Sequence, residues 1–128
     1  MTKILVVEDD PLSMELTQEM LNSMGFTVHG AMDGKEAIKK VEKEYYDLIL
    51  MDIGLPDVNG IEVTKIIKSI PRYKNVPVIA LTVYAMKGEK EKILKSGLDD
   101  HISKPINVFD FKKKIISWVG ASGLEEKS

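Results

Sequence analysis

The sequence predicts a doubly wound α/β fold, with a five-stranded parallel sheet and five helices covering both faces. Three observations carry this. Five short apolar runs alternate with five amphipathic segments, the order that right-handed strand–helix–strand crossovers require. The central run, Leu48-Ile49-Leu50-Met51, is apolar without alternation, as suits a strand buried on both sides. Asp52 closes it, and Gly54, Pro56, Asp57, Asn59 and Gly60 then force the chain to turn.

Each element has its own signal. Lys3 to Val7 is the first strand, and Glu8-Asp9-Asp10-Pro11 ends it, with Pro11 suited to the first turn of a helix. In that helix Leu16, Met20 and Met24 recur beside Thr17 and Leu21 as the expected apolar face, and Gly25 follows as its C′ residue. Phe26 to Gly30 is a brief second strand. Asp33 caps the next helix with Glu36 three residues on, and Ala37, Ile38 and Val41 form its inner side. After the central strand, Asn59 caps a third helix with Val63, Ile66, Ile67 and Ile70 as its stripe, and Pro71 follows. Val76 to Leu81 is the fourth strand, ending in Thr82. A polar helix from about Met86 to Ser96 turns Ile93 and Leu94 inward, with Gly97 past its end. Asp100 to Ser103 is the shortest strand. Lys104-Pro105 interrupts the chain before Asn107 caps a last helix that aligns Val108, Phe111, Ile115 and Val119.

Composition narrows the function. The 128 residues suit one domain, and 44% apolar with 30% charged is a globular balance. A net charge of −2 leaves no basic surplus for neutralising phosphates, which argues against direct nucleic-acid binding. No apolar run approaches the roughly 20 residues of a membrane span. The absence of Cys excludes disulfides and thiolate metal sites. Met1-Thr2-Lys3 leads straight into a strand, so no signal peptide is expected and the cytoplasm is the expected compartment.

In a parallel sheet all carboxyl ends share one edge, where such folds place their ligands. That edge would gather Glu8, Asp9, Asp52, Thr82 and Lys104. Taken singly, each has an ordinary structural role: acids before a helix complement its dipole, Thr82 caps, and Lys104 sits on the surface. Together they place three carboxylates close enough to repel, which calls for a hard divalent cation, Mg²⁺ or Mn²⁺. A hydroxyl and an ammonium beside them suit an incoming phosphoryl group, with Asp52 as the nucleophile forming an acyl phosphate. His29 is expected to be exposed, and His101, which begins the run to Lys104, to serve structurally. Two distant histidines make no metal site or triad.

The sequence resembles the receiver domains of two-component response regulators over roughly residues 2 to 120. The matching segments are Ile4 to Pro11, Asp47 to Asp52, Leu55-Pro56, Asn59-Gly60, Ala80-Leu81-Thr82, Gly97 to Asp100 and Ser103-Lys104-Pro105. Tyr84-Ala85-Met86-Lys87-Gly88 is further similar to stand-alone receivers of cell-cycle and phosphorelay systems. The resemblance implies a flavodoxin-like strand order 2-1-3-4-5 and phosphorylation of Asp52 by a phosphohistidine on a sensor histidine kinase or phosphotransfer protein. It implies Mg²⁺ on Asp9, Asp52 and the Gly54 carbonyl, with Glu8 acting through water. Thr82 and Lys104 would contact the phosphoryl group, and the Lys104-Pro105 bond would be cis. Three positions depart from the pattern. Gly54 stands where a larger side chain usually shields the phosphate, Val83 where a small Ala is common, and His101 where the family has its switch aromatic.

Two rivals share parts of this architecture. A nucleotide or flavin site needs a Gly- or hydroxyl-rich loop after the first strand, where this chain has three acids. A haloacid-dehalogenase-like phosphatase puts its nucleophile after the first strand and needs a cap that this chain is too short to supply. A degenerate receiver, serving only for docking, would not keep the acids, Thr82 and Lys104. The expectations are therefore a receiver domain over 1–120 with a polar tail or linker at 121–128. It would be a signalling phospho-acceptor rather than an enzyme, a monomer or weak dimer, reaching a downstream protein through its fourth helix, fifth strand and fifth helix.

Overall fold

Five strands alternate with five helices in the computed structural model, which describes residues 2–55, 59–83 and 87–120. The strands are β1 (Lys3–Val7), β2 (Thr27–Ala31), β3 (Leu48–Asp52), β4 (Val78–Thr82) and β5 (Asp100–Ser103). They form one parallel sheet in the order β2-β1-β3-β4-β5, as expected. The helices are α1 (Pro11–Ser23), α2 (Gly34–Lys43), α3 (Gly60–Lys68), α4 (Lys87–Lys95) and α5 (Val108–Val119), with a single 3-10 turn at Pro71–Tyr73. Pro56, Asp57, Val58 and the segment 84–86, together with the tail from 121, lie outside the described residues.

Alternation along the buried strands builds two cores. Leu5, Val7, Ile49, Met51, Val78 and Ala80 face α2, α3 and α4, meeting Ala37, Val41, Val63, Ile67 and Ile93. Ile4, Val6, Leu48, Leu50, Ile79 and Leu81 face α1 and α5, meeting Met14, Leu21, Phe111 and Ile115. Side chains cap four helix starts, at Asp33, Asn59 and Asn107 as read from the sequence and at Asp10 as an addition. Asp10 accepts from the Ser13 amide at 3.0 Å, Asp33 from Glu36 at 2.8 Å, Asn59 from Ile61 at 2.7 Å and Asn107 from Asp110 at 3.1 Å. Gly25 and Gly97 take φ of 91° and 105° just beyond α1 and α4, where a left-handed residue lets the chain reverse.

Four helix stripes are narrower than expected. Leu16, Ile66, Leu94 and Val108 are exposed, although each was placed inward from its spacing. In α1 the buried line is Met14, Thr17 and Leu21. Leu16 lies roughly 100° around the helix from Thr17, so both cannot face the sheet. Spacing placed both on the apolar face; the sheet buries Thr17 and leaves Leu16 outside.

This assignment is testable by urea denaturation. Leu21→Ala, at a fully buried position, should cost about 2–5 kcal/mol. Leu16→Ala should stay within about 0.5 kcal/mol. The reverse ranking would require a different face of α1 on the sheet.

Candidate functional site

Strand register assembles the site. Val7 pairs with Met51, so the next residues, Glu8 and Asp52, emerge side by side from the carboxyl edge. Asp52 pairs with Leu81, and Thr82 with Ser103, so Thr82 and Lys104 arrive one step further along the same rim. The Lys104 amide donates to the Thr82 carbonyl at 2.8 Å, and the Lys104-Pro105 peptide is cis. Glu8, Asp52 and Thr82 are buried, while Asp9 is exposed.

One carboxylate oxygen from each of Glu8, Asp9 and Asp52 lies within 4.8 Å of the other two. An all-oxygen set at that spacing fits a small, hard divalent cation. The Lys104 ammonium is bound to Glu8 Oε1 and stands 3.8 Å from Asp52 Oδ2. Asp52 Oδ1 accepts from the Gly54 amide at 3.0 Å. Burial pushes the Glu8 carboxyl up to about 7, reinforced by Asp52 and opposed by Lys104. Burial also opposes ionisation of Asp52, but its bonds with Glu8 and the Gly54 amide, together with Lys104, outweigh it and hold Asp52 below its ordinary value. The two shifts run in opposite directions, so the charged form is favoured on Asp52 over Glu8.

Asp52, Gly54, Thr82, Val83 and Lys104 line an open cleft of about 220 Å³. That is below the roughly 300–1,000 Å³ of organic-ligand pockets and suits a small anion. Among the described residues, a Cβ on Gly54 would approach only Asp52 Oδ1, at 3.8 Å. Val83 is exposed at the entrance.

The structure brings all the expected residues to this rim except His101, which lies further back on β5. There Asp100 gathers three donors: the His101 amide at 2.8 Å, Lys114 Nζ at 3.1 Å and Trp118 Nε1 at 2.7 Å. This tie between β5 and α5 had no signal in the sequence, because its partners are 14 and 18 residues apart on separate elements. His29, expected to be exposed, is half-buried, with Nδ1 2.8 Å from the Tyr46 hydroxyl and 2.9 Å from Glu44 Oε2. Its partners come from the turn before β3, on the other side of α2. The close approach of Gly60 to the Asp52 backbone was also invisible in sequence.

The Glu8 shift carries a sign that can be checked. A carboxyl raised from 4.5 to about 7 in the folded state adds stability that is fully present below pH 4.5 and is lost as pH rises through about 7. With chelator present, Glu8→Gln should match wild type near pH 5 and exceed it at pH 8 by on the order of 1 kcal/mol. Thermal melts across that range decide it. A pH-independent difference would place the raised carboxyl elsewhere.

Comparison with known proteins agrees with this geometry. Residues 4–116 match the response regulator receiver domain family. The chain is 42% identical over 121 residues to the polar-differentiation response regulator DivK of Brucella ovis, covering 94% of this chain and 98% of that one. Among solved structures, the chemotaxis response regulator CheY4 of Vibrio cholerae superposes with a TM-score of 0.87 at 28% identity, over 91% of this chain and 98% of that one. The receiver domain of the Pseudomonas aeruginosa sensor histidine kinase PA1611 does so at 0.86 and 35%, over 94% and 98%, and holds a magnesium ion in its active-site cleft. A receiver domain co-crystallised with a histidine phosphotransfer protein of Saccharomyces cerevisiae does so at 0.83 and 29%, over 91% and 88%. The chain belongs to the response regulator receiver domain family of two-component signalling.

Proposed function

We propose that Asp52 accepts a phosphoryl group from a phosphohistidine of a sensor histidine kinase or phosphotransfer protein, and that the modified domain switches its binding to a downstream protein. The observation that carries this is the ionised Asp52 at the centre of the rim, flanked by Lys104 and by two further acids. An Asp52 oxygen attacks phosphorus, the phosphorus–nitrogen bond of the donor breaks, and the histidine leaves. Glu8, Asp9, Asp52 and the Gly54 carbonyl are the groups that would hold Mg²⁺. Bound there, the ion would neutralise charge on the transferring oxygens.

Lys104 supplies the second positive charge. It reaches the phosphoryl oxygens by giving up Glu8, and the Thr82 hydroxyl donates to them from the end of β4. The donor protein finds a surface beside Lys104. Ser13, Leu16, Thr17, Met20, Ile106 and Val108 line a groove of about 370 Å³ between α1 and the start of α5. The receiver–phosphotransfer co-crystal supports a protein partner. No described helix is long and apolar enough to cross a membrane, which supports the cytoplasm as the place of this exchange.

Incubation with phosphoramidate and Mg²⁺, followed by intact mass and site mapping, tests the acceptor. One phosphoryl group should appear on Asp52, and Asp52→Asn should abolish it while the fold persists. A stable acyl phosphate mapped to another residue in the wild type would sink the assignment.

The response is separable from the chemistry. Inward movement of Thr82 would carry the end of β4 with it, and His101 beside β4 would turn towards the vacated space. Trp118, the sole tryptophan, reads β5 through Asp100. Beryllofluoride with Mg²⁺ should change Trp118 emission in the wild type. Thr82→Ala should still be phosphorylated at Asp52 but lose most of that change. A full change in Thr82→Ala would refute the coupling.

A further inference from the structure

We infer that Gly60 is a positioning residue for the phosphoryl acceptor: its missing side chain lets the first turn of α3 press on the Asp52 carbonyl, and that contact sets where Asp52 stands. The inference rests on the assignment of Asp52 as acceptor.

Asp52 is held from both flanks of its own backbone. On the sheet side it pairs with Leu81, whose carbonyl accepts from the Ile53 amide at 3.3 Å. On the helix side the Gly60 amide donates to the Ile53 carbonyl at 3.0 Å. A Cβ on Gly60 would overlap the Asp52 carbonyl oxygen and stand 2.9 Å from Ile53 Cα and 3.1 Å from the Asp52 carbonyl carbon. All three are backbone atoms, so no side-chain rotation relieves the clash.

Something must move, and α3 is poorly placed to do so. Val63 and Ile67 are fully buried in the core, and the Thr64 hydroxyl donates to the Gly60 carbonyl at 2.8 Å. The peptide joining Asp52 to Ile53 is the part that yields, because on the sheet side its Ile53 amide is held only by the long 3.3 Å bond to the Leu81 carbonyl. Rotation there shifts the Gly54 amide, which holds Asp52 Oδ1 at 3.0 Å. The carboxylate would then lose its aim at an incoming phosphorus. Ala is a better helix former than Gly, so without this contact the substitution would simply stabilise α3.

The test compares two glycine substitutions in the full chain, well below their melting temperatures, with phosphoramidate at saturating Mg²⁺. Gly60→Ala should slow phosphorylation of Asp52 by about tenfold or more, since a misplacement of about 1 Å can cost roughly a hundredfold. It should also weaken Mg²⁺ binding, read by calorimetry. Gly97→Ala controls for stability: its φ is 105° and nothing lies within 4 Å of the added Cβ, so strain lowers its melting temperature but leaves rate and Mg²⁺ affinity at wild-type values. Should Gly60→Ala not fold, Thr64→Val cuts the tie to the Gly60 carbonyl at similar volume and should slow the reaction by a smaller factor. A wild-type rate in Gly60→Ala, or in Thr64→Val where that variant stands in, overturns the inference. So does an equal loss in Gly97→Ala. A wild type that takes no phosphoryl group on Asp52 refutes the acceptor assignment, and the role given to Gly60 falls with it.

Discussion

Crowded negative charge at one edge of the sheet is the constraint around which this domain is arranged. Glu8 and Asp52 leave neighbouring strands side by side, and Asp9 follows at once. Like charges at that distance repel more strongly as water is removed, and Glu8 and Asp52 are both buried. Two responses are built in. The Lys104 ammonium pairs with Glu8, and the Glu8 carboxyl is pushed up far enough to keep a proton near neutral pH. Neither neutralises the site completely. The remaining negative potential is what a divalent cation would exploit, so the same repulsion costs stability and creates affinity for the metal.

The strands deliver those charges because the rest of their length is occupied by packing. Every residue of β3 is buried, with alternate side chains committed to the two cores. A one-residue slip of β3 against β1 would exchange those cores and carry Asp52 to the wrong face, so the apolar residues enforce the register of the acids. The chemistry is thereby separated from the packing along a single strand. Four residues hold position, and the fifth is left at the rim.

The opposite end of the sheet is tied by long-range side-chain bonds. Tyr73 donates to the Glu44 carbonyl at 2.6 Å and accepts from the Tyr46 amide at 3.2 Å. Arg72 Nη2 bonds the Val41 carbonyl and reaches the Glu42 carbonyl at 2.8 Å, satisfying the last turn of α2. Asp99 joins Lys68 and the Val78 amide, each at 2.8 Å, fastening α3 and β4 to the start of β5. These bonds hold the amino ends of the strands. The carboxyl rim carries the open cleft and the exposed Val83.

Strand composition, capping residues and turn glycines act within a few residues of themselves, and all were legible before the structure. The five strands, their order through the family resemblance, the caps at Asp33, Asn59 and Asn107 and the gathering of Glu8, Asp9, Asp52, Thr82 and Lys104 on one edge follow from such local signals. Helix faces were read less well: spacing identifies an apolar stripe, but the sheet buries Thr17 and leaves Leu16 outside. What only the tertiary structure decided are contacts across long separations. Lys104 binds Glu8, 96 residues away, rather than resting on Asp52. His29 meets Tyr46, Asp100 collects Trp118, and Gly60 touches the Asp52 backbone. Each depends on how separate elements pack against one another. Sequence pattern states which residues can reach the rim, and packing chooses their partners there.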